Sequence, residues 1–263
     1  GTVALVAVFF APVIICLEAE QMTLFVLLGL ALFVHLEKSR PVLAGAALSL
    51  VMLKPHLLLI FLMLAALEVI RRRQFAIIGG FLGGFAAMNV IGATMSPHIW
   101  SDYLHSMGAE GVQNQFLPNL ANATRLLLGS RLLWPMAIPA TVALVWALWY
   151  WRQHRTGWHW SDRMPVIAAV SVLIAPYSWP YDQVLFWPAI LRAYPSASRA
   201  SRMVLVVLNL AAIAVTLRVR NLGNLLYLWT GPAWMLWCVW VWRGAADAQR
   251  ERRAQAEASA GAL

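Results

Sequence analysis

Charged residues and cysteines are both scarce in this sequence of 263 residues. Asp, Glu, Lys and Arg together account for 12% of it, which is about half the share found in an ordinary soluble domain. The two cysteines, Cys16 and Cys238, both lie inside apolar runs, where we expect them to pack as small hydrophobic side chains. A zinc-type cysteine cluster is therefore excluded, and neither a Walker loop nor a dinucleotide-binding fingerprint is present.

Hydrophobic residues, in contrast, make up 61% of the chain, and fourteen tryptophans are among them. Tryptophan concentrates at membrane interfaces, and a membrane-spanning helix needs about 20 apolar residues. Ten apolar runs are long enough to suggest membrane segments, although several are short and must tilt or end at a cavity. They lie near residues 2–17, 22–36, 41–53, 57–70, 75–94, 132–151, 164–175, 184–193, 203–217 and 225–242. The sequence therefore predicts an all-α, polytopic transmembrane helical bundle of about ten segments.

The basic residues divide unevenly between alternate connections of such a bundle. Fifteen of the twenty fall in one set of connections and five in the other, namely Lys54, Arg125, Arg131, Arg218 and Arg220. Because cytoplasmic loops carry the excess of Lys and Arg, the larger set and the C-terminus are predicted to be cytoplasmic. This also accounts for the net charge of +9 without nucleic acid as a partner.

Two units follow from this topology. Residues 1–242 are predicted to form the transmembrane domain, and residues 243–263 a cytoplasmic tail that is either a frayed helix or disordered. The first residues open directly into an apolar run, without the basic segment or the cleavage site of a signal peptide. We therefore expect the chain to begin inside a transmembrane segment, as a fragment of a larger protein.

The stretch Lys54-Pro55-His56 lies within about thirty apolar residues. Proline cannot donate to the helix and biases the preceding residue away from helical geometry, so two short helices should meet here. A charged residue inside a membrane segment normally faces a cavity or a partner. Lys54 is therefore a candidate for binding an anion such as a lipid phosphate, with His56 as a second candidate. The alternative is that Lys54 extends to the outer headgroups.

The other candidate residues are predicted to lie on the same side of the membrane as Lys54, which is the extracytoplasmic side. Glu18, Glu20 and Gln21 lie at a helix end, where carboxylates suit a general base or sugar hydroxyls, although a solvated loop is equally compatible. The segment APYSWPYDQ contributes Tyr177, Tyr181 and Asp182, since aromatic rings and a carboxylate suit a carbohydrate. Asp102 lies on the polar face of a predicted amphipathic interfacial helix. Glycines at GxxxG spacing, Gly79 with Gly83 and Gly80 with Gly84, predict close helix packing.

Three of these stretches, in this order, resemble glycosyltransferase family 87, the mannosyltransferase-like membrane enzymes of the GT-C class. They read EQMTLFVLLGLALFVHLEKSRPVLAG, then LKPHLLLIF followed by IRRR, then APYSWPYDQVLFWP. The resemblance covers residues 18–193, as the C-terminal part of such an enzyme. The sequence departs from the family pattern at Glu20, which stands where glycine is usual, and at Thr23, where asparagine is common. Tyr181 and Asp182 stand where one branch has two histidines.

The resemblance implies a membrane glycosyltransferase that needs no cofactor and no metal. It would transfer a mannose- or arabinose-like sugar from a polyprenyl-phosphate donor to an acceptor hydroxyl of a glycan or glycolipid. Lys54 and His56 would bind the donor phosphate, while Glu18, Glu20, Gln21, Asp102, Tyr177, Tyr181 and Asp182 would line the sugar or acceptor pocket. The location implied is the bacterial inner membrane, with the active face outside. The acidic catalytic residue of the class has no counterpart here and is expected in a missing N-terminal loop, so this fragment alone should be inactive.

Two other classes of function fit the same features. A transporter or flippase for a lipid-linked or anionic solute would share the broken helix and the intramembrane lysine. That class predicts inverted repeats, and the spacing of the apolar runs shows none. A non-catalytic membrane subunit would use the polar groups only to stabilise loops, and it predicts that Lys54, Glu20 and Asp182 lie far apart.

Overall fold

The computed structural model describes residues 9–109, 117–129, 134–219 and 221–260, and the regular secondary structure within these ranges is entirely helical. This confirms the predicted all-α class. The α-helices, numbered α1 to α12 in chain order, are Ala11–Glu18, Thr23–Leu36, Pro41–Leu48, Leu59–Arg72, Phe75–Met95, Ile99–Ala109, Leu120–Leu127, Ala137–His154, Trp160–Ile174, Trp187–Ala193, Arg199–Arg218 and Thr230–Ala260. Short 3-10 turns connect several of them.

Two of these helices, α5 and α11, are long and apolar enough to cross a membrane by length and composition. Only 11% of the apolar window of α5 and 17% of that of α11 is buried inside the protein. Their outward faces carry large exposed side chains, among them Leu82 and Val90 on α5 and Val207 and Leu210 on α11. Exposed apolar faces of this extent are typical of contact with a membrane or with another protein. Shorter apolar helices occur at Thr23–Leu36 and Pro41–Leu53.

The chain breaks its helical path at Lys54, as the Lys-Pro pair predicts. Helix α3 continues as a 3-10 turn to Leu53, and Lys54 then leaves helical geometry, with φ −145° and ψ 64°. A further 3-10 turn covers Pro55–Leu57 before α4 begins at Leu59. The backbone N–H of Phe61 in the first turn of α4 would lack a partner within that helix. It donates to the buried Ser171 Oγ of α9 at 3.2 Å instead.

Only one of the two glycine pairs in α5 makes the predicted close contact. A side chain added at Gly80 would overlap the Val42 carbonyl oxygen of α3, and one at Gly84 would lie 2.5 Å from Ser49 Oγ. At Gly79 and Gly83 an added Cβ would meet no other atom within 4 Å. Gly80 and Gly84 therefore let α5 approach α3 closely, which fixes the direction in which the chain enters the break at Lys54.

An aromatic cluster joins α2, α4 and α9 in the core. The rings of Phe33, Phe61 and Trp160 have centroid separations of 5.2 to 6.0 Å, and all three side chains are fully buried. Edge-to-face aromatic pairs at such distances are favourable beyond the area they bury. The cluster thus holds the first turns of α4, and with them the break at Lys54, against α9.

Two buried glutamates lie at the opposite end of α2 and α4 from the break. Glu68 accepts hydrogen bonds from Arg71 and Arg72 and from Trp151 Nε1, the last at 3.0 Å. Glu37 is 3% exposed, and its Oε2 has no hydrogen-bond partner within the described part of the chain. Burial raises the pKa of Glu37, although the positive charges of Lys38 and Arg72 oppose this.

These two glutamates should respond in opposite ways to removal of their charge. Glu68→Gln breaks a buried ion pair and should cost about 3 kcal/mol, the lower end of the range because its arginines are partly exposed. Glu37→Gln should raise the thermal midpoint at neutral pH, since the raised pKa means that the ionised carboxylate is unfavourable in the folded state.

The pH dependence of unfolding distinguishes this effect of the Glu37 charge from an effect of side-chain packing. Below the ordinary value of 4.5 Glu37 is protonated in both states, and its destabilising effect appears as the pH rises through the raised pKa of the folded state. The gap in thermal midpoint between Glu37→Gln and wild type should therefore be widest at neutral pH and should close on acidification. A gap that is independent of pH would contradict this explanation.

The last part of the chain continues as a helix, where the sequence left a frayed helix or disorder open. Helix α12 extends from the buried Trp234 and Trp237 through the arginine-rich segment to Ala260. Residues 261–263 lie outside the described ranges, as do the first seven residues of the apolar run at 2–17 and both Arg131 and Arg220 of the smaller basic set.

Candidate active site

Lys54 lies at the centre of a polar cluster just where the helical path breaks. Its ammonium donates to Asp182 Oδ1 at 2.9 Å, to Gln21 Oε1 at 2.9 Å and to Thr23 Oγ1 at 3.1 Å. The side chain of Lys54 is 17% exposed and that of Asp182 is 1% exposed. Lys54 thus pairs with a carboxylate inside the protein, which contradicts the alternative that its side chain extends to the lipid headgroups.

Asp182 is held by groups from both sides. Its Oδ1 accepts from the Thr23 hydroxyl at 2.7 Å as well as from Lys54, and its Oδ2 accepts from the backbone N–H of Trp179 at 2.9 Å. The residue belongs to the 3-10 turn Pro180–Phe186, which Pro180 starts by removing a backbone donor at a position that needs none. Hydrogen bonds from Lys54, Thr23 and the Trp179 backbone thus engage both oxygens of this buried side chain.

Aromatic rings form one wall beside the lysine. The Tyr181 ring faces Lys54 Nζ with 4.5 Å between the nitrogen and the ring centroid, within the range of a cation–π contact. Trp179 stacks on Tyr181 with centroids 6.1 Å apart, and Tyr177 meets Trp179 edge to face at 6.4 Å. Aromatic faces beside hydrogen-bonding groups suit the two kinds of surface that a sugar ring presents.

A cavity of about 420 Å³ adjoins the break on the other side of Pro55. The segment 52–56, helix α5 and the amphipathic helix α6 form its walls, and Phe85, Asn89 and Trp100 are among the lining side chains. His56 lines it too, and its Nε2 is buried without a hydrogen-bond partner in the described structure. The His56 ring contacts that of Tyr177 at 5.5 Å. His56 therefore faces this cavity rather than joining the hydrogen bonds of Lys54.

The structure brings some of the predicted residues together and leaves others apart. Gln21, Lys54, Tyr181 and Asp182 form the cluster, and Tyr177 with His56 borders it. The remaining predicted residues have exposed side chains, namely Glu18, Glu20 and Asp102. None of these three makes a described hydrogen bond to the cluster. Among the described residues, no group of three or more His, Cys, Asp or Glu side chains is placed to hold a metal ion.

Thr23 is the member of the cluster that sequence reasoning did not assign a role. It is fully buried, and its hydroxyl both donates to Asp182 and accepts from Lys54. In the sequence it stands out only as a departure from the asparagine common at that position of the family pattern. Thr23 begins α2, and one residue separates it from Gln21. This closeness in the chain to a candidate site residue was the available signal.

The arrangement can provide a fixed positive charge in a mostly dehydrated site. The cation and its paired carboxylate stand 2.9 Å apart, and a low local dielectric strengthens any further contact that the lysine makes. A positive charge so placed is suited to stabilising an anionic leaving group. A transporter could use the same features, so the geometry by itself does not distinguish transfer from transport.

The comparisons with known proteins settle the class of the chain. Neither the curated proteins nor the solved structures gave a match. The model of glycosyltransferase family 87 matches residues 1–176, which is about two thirds of the chain and includes Gln21, Thr23 and Lys54. Tyr181 and Asp182 lie just beyond the matched range. An all-helical protein with a lysine-centred polar site at a broken helix agrees with this match, and the chain belongs to glycosyltransferase family 87.

Proposed function

We propose that this protein is an integral membrane glycosyltransferase whose donor is a polyprenyl-phosphate sugar and whose acceptor is a hydroxyl of a glycan or glycolipid. The sugar would be mannose- or arabinose-like. One observation carries the proposal, namely that a chain of family 87 places a carboxylate-paired lysine, 17% exposed, at a break between apolar helices. Family membership favours transfer over transport and over a non-catalytic role, both of which would leave the family's chemistry unused.

The reaction we propose is a single displacement at the anomeric carbon. The acceptor oxygen forms a bond to that carbon while the bond from the carbon to the phosphate oxygen breaks, with inversion. The acceptor proton passes to a carboxylate acting as general base. The bonding electrons leave with the polyprenyl phosphate, and Lys54 stabilises the added negative charge.

Asp182 is a poor choice for the general base. Both of its oxygens already accept hydrogen bonds, from Lys54 and Thr23 on one side and from the Trp179 backbone on the other. A general base must come within hydrogen-bond reach of the acceptor hydroxyl, and the Asp182 side chain is only 1% exposed. We assign Asp182 to holding Lys54 in place, and we assign the base to a carboxylate outside the cluster.

The remaining assignments extend outward from the cluster. Gln21 and Tyr181 would border the donor site. Tyr177 and His56 would border the cavity next to it, which offers space for an apolar part of a substrate. Glu18, Glu20 and Asp102 would contact the acceptor from their exposed positions. The reaction would take place on the extracytoplasmic face of the bacterial inner membrane, in a protein with about ten membrane segments and a cytoplasmic C-terminus.

Asp182→Asn should lower sugar transfer by about tenfold to a hundredfold, because the lysine loses the charge that positions it. Its effect on folding should be smaller than that of Lys54→Met, since the ammonium left without its carboxylate is 17% exposed and within reach of water. The measurement is the rate of transfer from a defined polyprenyl-phosphate sugar to an acceptor lipid in membranes that contain the intact protein.

Asp162→Asn is the matched control. Asp162 is half exposed and pairs with Arg192 at 3.2 Å, away from the cluster, so transfer should remain unchanged. Unaltered kinetics in Asp182→Asn would count against the assigned role. If the intact protein forms no glycosylated product but moves a lipid-linked solute across liposomes, the transport alternative replaces the proposal.

A further inference from the structure

We infer that Gln21 occupies the place of the ligand's anionic oxygen on Lys54, so that binding of a phosphate requires the Gln21 side chain to move away. This inference rests on the proposed function, because it concerns the same lysine. It assigns Gln21 a role opposite to that of a pocket residue: its amide competes with the ligand instead of helping to bind it.

The ammonium of Lys54 has no free hydrogen-bond donor. A lysine ammonium has three N–H donors and no acceptor. All three have partners inside the protein at normal distances: Asp182 Oδ1 and Gln21 Oε1 at 2.9 Å and Thr23 Oγ1 at 3.1 Å. The Tyr181 ring, whose centroid lies 4.5 Å from Nζ, covers a further side of the ammonium. An incoming phosphate oxygen therefore finds no free donor on Lys54 unless one partner leaves.

Gln21 is the partner that can leave at least cost. Thr23 is fully buried and Asp182 is 1% exposed, and moving either would break the bond between them as well. Moving Asp182 would also leave a buried charge without its partner, which is strongly unfavourable. Gln21 is neutral and half-buried, and water can replace both bonds that its amide gives up, the one from Lys54 and the one to the Ala19 carbonyl.

The backbone next to Gln21 directs the side-chain amide toward Lys54, in a position from which the amide can be displaced. Glu20 adopts a left-handed conformation with φ 52°, which is uncommon for a residue with a side chain. Gln21 Nε2 donates to the Ala19 carbonyl at 3.1 Å, and this bond turns Oε1 toward the lysine. The tight turn 19–21 thus aims the amide at Lys54, and rotation of the side chain alone is enough to release it.

Binding of farnesyl phosphate to the intact protein tests the inference. The protein would be held in nanodiscs of neutral phosphatidylcholine, and the dissociation constant measured by calorimetry for wild type, Gln21→Ala and Gln21→Glu. Gln21→Ala should tighten binding about threefold to tenfold, since one donor of Lys54 becomes free. Gln21→Glu should weaken it at least about tenfold, because a second carboxylate holds the same donor through a charge-assisted bond.

Three controls separate the possible outcomes. Farnesol carries no phosphate, and its binding should not respond to either change at Gln21. Gln153→Ala removes an exposed glutamine at the far end of α8 and should leave binding unchanged. Lys54→Met should abolish the phosphate-dependent part of the affinity.

The inference is overturned if wild-type binding depends on Lys54 but Gln21→Ala leaves it unchanged or weakens it, because Gln21 then supports the ligand or only the fold. The proposed function itself loses its phosphate site if Lys54→Met binds farnesyl phosphate as well as wild type. In that case Gln21 has no ligand to compete with, and the inference is overturned along with it.

Discussion

Replacing Lys54 with methionine is expected to lower sugar transfer by at least about a hundredfold, the usual effect of removing one charge-stabilising donor from an active site. Methionine keeps a flexible, unbranched side chain of similar length but cannot donate to the leaving phosphate. Transfer should be measured with the intact protein at saturating donor, where loss of transition-state stabilisation appears as a lower kcat.

The same substitution also leaves Asp182 buried without its cation, which should cost about 3–5 kcal/mol of stability. A lower rate would therefore be ambiguous by itself. The double variant Lys54→Met/Asp182→Asn removes both charges and should recover much of the lost thermal stability, while transfer stays low. Recovery of transfer together with stability would show that Lys54 only supports the fold, and the proposed mechanism would fail.

Lys54→Arg provides a second comparison. Arginine keeps the charge, but its planar guanidinium does not fit three acceptors arranged around a compact ammonium. The Lys54→Arg variant should be more stable than Lys54→Met, and its rate of sugar transfer should lie between those of Lys54→Met and wild type. Full activity in the arginine variant would mean that charge alone matters and that the observed hydrogen-bond geometry does not.

Gly80→Ala is expected to have the largest effect on folding among single-methyl changes in α5. The added Cβ would overlap the carbonyl oxygen of Val42, a backbone atom that cannot turn aside. Overpacking of this kind costs about 1–3 kcal/mol. Because α3 leads into the break at Lys54, its displacement should also reduce transfer. Thermal unfolding of the purified protein, with transfer measured alongside, is the test.

Gly79→Ala is its matched control, one residue away on the same helix. An added Cβ there meets no other atom within 4 Å, and alanine is the better helix former by about 1 kcal/mol. Gly79→Ala should therefore be neutral or slightly stabilising, and Gly83→Ala should behave like it. Equal effects at Gly79 and Gly80 would contradict the packing of α3 against α5.

The glycines illustrate what a sequence pattern leaves undecided. Both pairs have the same four-residue spacing, and each lies on one face of the helix. Which face meets a neighbour depends on the rotation of α5 about its axis, and all the surrounding elements set that rotation together. The spacing predicted close packing for both pairs; the structure confirms it at Gly80 and Gly84 and contradicts it at Gly79 and Gly83.

The sequence by itself determined the features that arise from local chemistry. Apolar composition and helical runs gave an all-helical protein with outward apolar faces, and Pro55 placed the break at Lys54 because proline restricts the residue before it. The motifs around Lys54 indicated the family. Each of these depends on residues that are neighbours in the chain, so no knowledge of distant packing was needed.

Only the tertiary structure decided which residues meet at the site. Lys54 had several acidic residues predicted on the same side, and the contacts select Asp182, which is 128 positions away. They also bring in Thr23, to which the sequence assigned no role. The side chains of Glu18, Glu20 and Asp102 remain exposed. A lysine ammonium has three N–H donors, and which acceptors surround it depends on how α2, the turn Pro180–Phe186 and the broken helix pack against one another.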